Sequence, residues 1–130
     1  MKKIILIMAI AIFGASNMNA QLVMSGSDTI VNTSTVSVTQ TFKLTYAVAS
    51  FQAVVTKVSG TVAGTVILEA SNDGTNYAAI SVDTLTLTNV TTNTKLWAVT
   101  SVPYKYYRLK GTGTGTMAAI LKGYCVLSDK

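Results

Sequence analysis

The chain of 130 residues contains no histidine, so its chemistry has to start from its carboxylates. Without imidazole it lacks the usual general base, the commonest metal ligand and the ordinary partner of a serine or cysteine nucleophile. The acids are Asp28, Glu69, Asp73, Asp83 and Asp129. A glycosidase needs two carboxyl groups facing each other across a cleft. Asp28 and Asp129 lie near the ends and Asp73 sits in a turn, which leaves Glu69 and Asp83 as the pair to watch. Asn72 and Asp73 supply one amide and one carboxylate, too few oxygens for a Ca²⁺ ion that takes about six to eight. Side chains of that kind at a turn bond their own backbone instead. The run Gly111-Thr112-Gly113-Thr114-Gly115 has neither a helix nor a Lys-Ser/Thr after it, so it is no phosphate cradle. No zinc-like spacing of ligands occurs. The expectation is a protein with no catalytic, cofactor-binding or metal-binding residues, and not an enzyme.

Contact chemistry is better represented. Along an extended Tyr104-Lys105-Tyr106-Tyr107-Arg108-Leu109-Lys110, side chains alternate between faces. If Tyr107 and Leu109 face the core, then Tyr104, Tyr106, Arg108 and Lys110 form an aromatic and cationic stripe. Flat rings stack on sugars or on protein surfaces, and a guanidinium grips carboxylate or phosphate through two parallel donors. The bland alternative is that the rings cover the sheet while Arg108 and Lys110 keep an exposed strand soluble. The only tryptophan, Trp97, joins these four as a candidate contact residue.

The elements that must position these residues have a period of two. From Thr35 to Tyr46, Val36, Val38, Phe42, Leu44 and Tyr46 share one face and Thr, Ser and Lys occupy the other, as a half-buried strand requires. Phe51 to Val58 is more uniformly apolar and reads as a central strand. Thr65 to Ala70 runs into Ser71-Asn72-Asp73-Gly74-Thr75-Asn76, where Asn, Asp and Gly accept the backbone of a reversal, and Tyr77 to Ile80 returns. Thr84 to Val90 alternates, Thr91 to Thr94 reads as a reversal, and Lys95 to Ser101 follows. Tyr104 to Lys110 comes after Pro103, Gly111 to Gly115 reads as a flexible hairpin loop, and Met117 to Leu127 closes the chain. Seven to nine short strands at this spacing, with no helical window, predict an all-β antiparallel β-sandwich of the jelly-roll kind.

Composition agrees. Charged residues make up 12% of the chain and apolar ones 49%, and Thr, Ser and Asn supply the remaining polarity. Lys2 and Lys3, the apolar run Ile4 to Phe13 and the small-residue stretch ending at Ala20 follow the plan of a secretory signal peptide, so residues 1–20 are expected to be removed and residues 21–130 to form one domain. Ten apolar residues are too few to span a bilayer, so no stable membrane span is expected. Beyond the leader, eight cations stand against five acids, which is too mild a bias for nucleic-acid binding. Cys125, the single cysteine, has no internal disulfide partner and sits in an apolar strand as a small hydrophobe.

The stretch from Val66 to Tyr77, with its Ser71-Asn72-Asp73-Gly74 hairpin, and the later Tyr106-Tyr107-Arg108-Leu109 carry a resemblance. They are similar to the Ser-x-Asp-Gly-x-x-aromatic hairpin and the Tyr-x-Arg-hydrophobic strand of discoidin-like β-sandwich modules. They also resemble segments of small β-sandwich proteins of bacteriophage virions and bacterial surfaces. The resemblance implies a jelly-roll-like sandwich with binding loops, or a structural role in a virion or surface. The closing Gly123-Tyr124-Cys125-Val126-Leu127 lacks the acidic-hydrophobic pattern of discoidin modules, so no sugar site is carried over. The expected function is that of a non-catalytic structural or assembly protein of an extracellular surface, filament or virion. Its partners would be further copies or neighbouring structural subunits, without cofactor or nucleic acid. The alternative is a carbohydrate-binding or adhesion module using the Tyr/Arg strand.

Overall fold

The computed structural model describes residues 21–42 and 48–128. The leader 1–20, Leu44, Tyr46 and Asp129 therefore lie outside the described residues. Nine strands follow one another: β1 (Gln21–Val31), β2 (Thr35–Thr41), β3 (Val48–Gly60), β4 (Gly64–Ser71), β5 (Ala78–Ala79), β6 (Leu85–Leu87), β7 (Thr92–Val99), β8 (Tyr106–Gly113) and β9 (Met117–Ser128). All pairings are antiparallel and make two sheets. Sheet A has the order β7-β3-β9-β1, and sheet B the order β2-β8-β4 with β5 and β6 both on the far side of β4. β1 belongs mainly to sheet A but meets β2 at Ser25 and Thr39, which joins the two sheets. The chain is an all-β sandwich, as the two-residue alternation predicts.

The alternation also fixes what lies between the sheets. Ala49, Phe51, Ala53 and Val55 of β3, Val66, Leu68 and Ala70 of β4, Tyr107 and Leu109 of β8, and Ala119, Leu121 and Cys125 of β9 are all buried. At its centre the Tyr107 ring stacks on Phe51 at 4.9 Å between centroids, with Phe42 tilted against it at 5.3 Å. Offset aromatic pairs of this kind stabilise by about 0.5–1.5 kcal/mol beyond their area. Burial pushes the Tyr107 phenol above its ordinary range, and its oxygen accepts the Tyr104 N–H at 3.4 Å.

Three expectations need correction. The Gly111-Thr112-Gly113 stretch is strand rather than loop, and the turn is confined to the residues after it. Its glycines are needed because the sheets approach closely there. A Cβ on Gly113 would overlap the Asn32 carbonyl oxygen, and one on Gly111 would come within 2.8 Å of Ile30 Cδ1. The polar Thr92-Asn93-Thr94 likewise opens β7 rather than making the reversal. Asn93 is buried, with its side chain accepting the Thr88 N–H at 2.9 Å and donating to the Thr88 carbonyl at 2.9 Å, so it continues the structure as a backbone would. Finally, the alternating Thr84 to Val90 yields only the three-residue β6, which pairs with β4.

Candidate functional site

The Tyr/Arg strand does lie on an outer face, that of sheet B. Antiparallel register sets Tyr106 between Thr41 and Ser71, Arg108 between Thr39 and Glu69, and Lys110 between Ser37 and Ile67. Glu69 occupies an outward position of β4, yet its side chain is only 7% exposed because two cations close over it. Arg108 Nε donates to Glu69 Oε2 at 2.6 Å, and Lys110 Nζ lies 3.5 Å from Oε1. The guanidinium also stacks 3.9 Å from the centroid of Tyr77, the first residue past the hairpin. The hairpin itself is held by Asp73, whose carboxylate accepts the Thr75 and Asn76 N–H groups at 2.8 Å each and the Asn76 side-chain amide at 2.7 Å. These bonds, the Asn76 amide foremost, hold the Asp73 carboxyl well below the usual carboxylate range. Asp73 is thus a turn-former with both oxygens engaged. Tyr106 lies over Gly74, whose added Cβ would stand 3.2 Å from the ring.

The remaining candidates are elsewhere. Tyr104 precedes β8, leans edge-on against Tyr107 at 6.1 Å, and is 38% exposed. Trp97 is buried rather than exposed, and its indole N–H donates to the Asp83 carbonyl at 2.7 Å. Its strand, β7, places it on the inner side of sheet A, where an amphipathic ring lowers more free energy by burial than by contact with water. Tyr104 and Trp97 both line a cleft of about 750 Å³ at the open side of the sandwich. The sequence stripe is therefore divided: Tyr106, Arg108 and Lys110 belong to the sheet B face, Tyr104 and Trp97 to the cleft. Glu69 and Asp83 are likewise each held by cations, Asp83 by Lys95 at 2.8 Å. Among the described residues no group of three His, Cys, Asp or Glu is arranged to hold a metal ion.

The outer face of sheet A is of a different kind. Its cross-strand rows are Thr29, Ile120, Thr56 and Thr92; then Ser27, Lys122, Val54 and Thr94; then Tyr124, Gln52 and Leu96; then Val126, Ser50 and Ala98. Lys122 is the one charged residue in these rows. On this face Leu96 is 64% exposed, Val126 37% and Val48 36%, and Val54, Ile120 and Tyr124 are half-buried. Sequence reasoning misses this face because outward Val, Ile and Leu in strands that are apolar on both sides give no sign of which side meets water.

No family model and no curated protein matches the chain. Among solved structures it is similar to the Yersinia pseudotuberculosis-derived mitogen, with 12% sequence identity, a TM-score of 0.51, and 87% of this chain and 90% of that one covered. At this identity the likeness concerns the β fold alone.

Proposed function

We propose that the chain is a non-catalytic structural subunit of an extracellular assembly, and that it associates with copies of itself through the outer face of sheet A. The observation that carries this reading is the apolar make-up of this face among the described residues, with Leu96, Val126 and Val48 exposed, Val54, Ile120 and Tyr124 half-buried, and Lys122 the one charged side chain in its cross-strand rows. Contiguous exposed apolar surface on a soluble domain marks a contact site. Four strands about 4.8 Å apart and roughly 30 Å long give a face of about 570 Å². Two copies would bury about 1,100 Å², at the lower end of specific interfaces. Each pairwise contact is then weak, and repetition in an assembly supplies the strength.

The Tyr/Arg strand supports a carbohydrate site less well, because Arg108 and Lys110 are already engaged with Glu69. The test is sedimentation velocity from micromolar to millimolar protein. The wild type is expected to gain sedimentation coefficient with concentration, while Val126→Lys stays monomeric at least tenfold higher. A wild type that remains a single monomeric species throughout, or a variant that associates equally well, overturns the proposal.

A further inference from the structure

β1 begins at Gln21, which directly follows the leader expected from the sequence. Gln21, Leu22 and Val23 pair with Val126, Cys125 and Tyr124 of β9, so the ladder uses the chain from this residue onward. Met24 and Ile30 of the same strand are fully buried and belong to the core. A signal peptidase needs a small residue on the amino side of its cut. Ala20 meets that need and adjoins the strand, whereas a cut after Ser25 or Gly26 would remove Met24 from the sandwich. The two limits, one from the peptidase and one from the fold, meet at the Ala20-Gln21 bond. A glutamine in first place carries a carboxamide within ring-closing reach of its own α-amine. Gln21, Val126, Ser50 and Ala98 also make one cross-strand row of sheet A. A free α-amine at Gln21, with an ordinary pKa of about 7.7–8.0, would put a cation at the end of that row.

We propose that Gln21 is a modification site: the mature chain starts there, and its glutamine closes to pyroglutamate. The lone pair of the free α-amine attacks the side-chain carbon Cδ, and the new N–Cδ bond closes a lactam ring. The Cδ–Nε2 bond breaks, and Nε2 leaves as ammonia with the proton given up by the attacking nitrogen. Nothing is oxidised or reduced, and no second reactant is consumed. Closure needs the unprotonated amine, so it quickens as pH rises through about 8. The product carries no terminal charge, which keeps Lys122 the one charged residue in the sheet A rows. It also offers no free amine to an aminopeptidase. Chain ends are where trimming concentrates, and here the end is the strand that supplies Met24 and Ile30 to the core. The lactam thus protects the first strand of an exported protein. This inference rests on removal of residues 1–20 and is independent of self-association.

The test is the intact mass of the full chain produced with its own leader in a secreting bacterial host. The exported protein is weighed without digestion, so that no terminus is altered in handling. The expected mass is that of residues 21–130 less one ammonia, with no residue released by stepwise degradation from the N-terminus. Pyroglutamyl aminopeptidase, applied to the unfolded protein, is expected to remove the ring and expose Leu22 as a readable terminus. Gln21→Ser is expected to have the full mass of residues 21–130, a readable serine, and trimming by an aminopeptidase at least tenfold faster than the wild type. A retained leader or a different first residue overturns the proposal. So does a readable Gln21 that persists through prolonged incubation at pH 8. Loss of ammonia that survives in Gln21→Ser overturns it too, because the loss then comes from another amide side chain.

Discussion

Replacing Arg108 by methionine decides whether the cationic strand is an internal clamp or a free contact surface. Glu69 is 7% exposed, with Arg108 Nε at 2.6 Å and Lys110 Nζ at 3.5 Å. Removing one partner of a buried ion pair costs about 3–5 kcal/mol, because the other charge is left without compensation. Lys110 remains in Arg108→Met, and the arginine side chain is 24% exposed, so water already screens part of the interaction. The loss is then about 2–3 kcal/mol, with up to about 1 kcal/mol more from the stacking on Tyr77. A total near 3 kcal/mol lowers Tm by about 12–15 °C for a domain of this size. In urea, followed by Trp97 fluorescence, the midpoint falls by about 2 M with an unchanged slope. Changing Glu69→Gln in the same protein removes the stranded charge and is expected to restore about half of the loss. If Arg108→Met costs less than about 0.5 kcal/mol, the clamp contributes nothing and Arg108 is available to a ligand.

Three further outcomes follow from the same structure. The hydrogen bonds that depress the Asp73 carboxyl contribute stability that is present above its unfolded pKa of about 4 and lost as pH falls below it. Tm measured against pH should therefore show Asp73→Asn below the wild type at neutral pH and the two converging in acid; a constant gap would refute this. Burial pushes the Cys125 thiol up to about 12, so a disulfide reagent at pH 8 should modify it only in denaturant, and rapid labelling of the native protein would show that the strand opens. Gly113→Ala drives a methyl into the Asn32 carbonyl and toward Ile30 Cγ2 at 2.9 Å, and about 2–3 kcal/mol is expected to be lost in chemical denaturation; a neutral result would mean the sheets separate there without cost.

What was legible in the sequence was whatever depends on period and local turn chemistry. The alternation around Val36 and Val38, the apolar centre of β3 and the Ser71 to Asn76 reversal all translate directly into strands and a hairpin. β1 was not legible, because Ser25-Gly26-Ser27-Asp28 looks like a loop. There the strand changes partner and its register shifts between Val23 and Ser27, with Gly26 at a φ of 82°. The glycines of β8 mislead for a related reason: glycine marks both flexibility and close approach, and only the facing Asn32 and Ile30 distinguish them. At the candidate site, the alternation placed Arg108 and Lys110 correctly on one face, but Glu69, 39 residues away, becomes their partner only through the pairing of β4 with β8. The cleft is less legible still. It exists because β5 stops after two residues while β7 continues, and no local pattern reports that mismatch.

Copies of the chain are expected to meet through the outer face of sheet A. A dilution series of methyl and amide NMR spectra tests this residue by residue. Concentration-dependent shifts are predicted at Val54, Leu96, Ile120, Tyr124 and Val126, with Tyr106, Arg108 and Lys110 unmoved. Shifts confined to the sheet B face, or spectra that superimpose at every concentration, would contradict it.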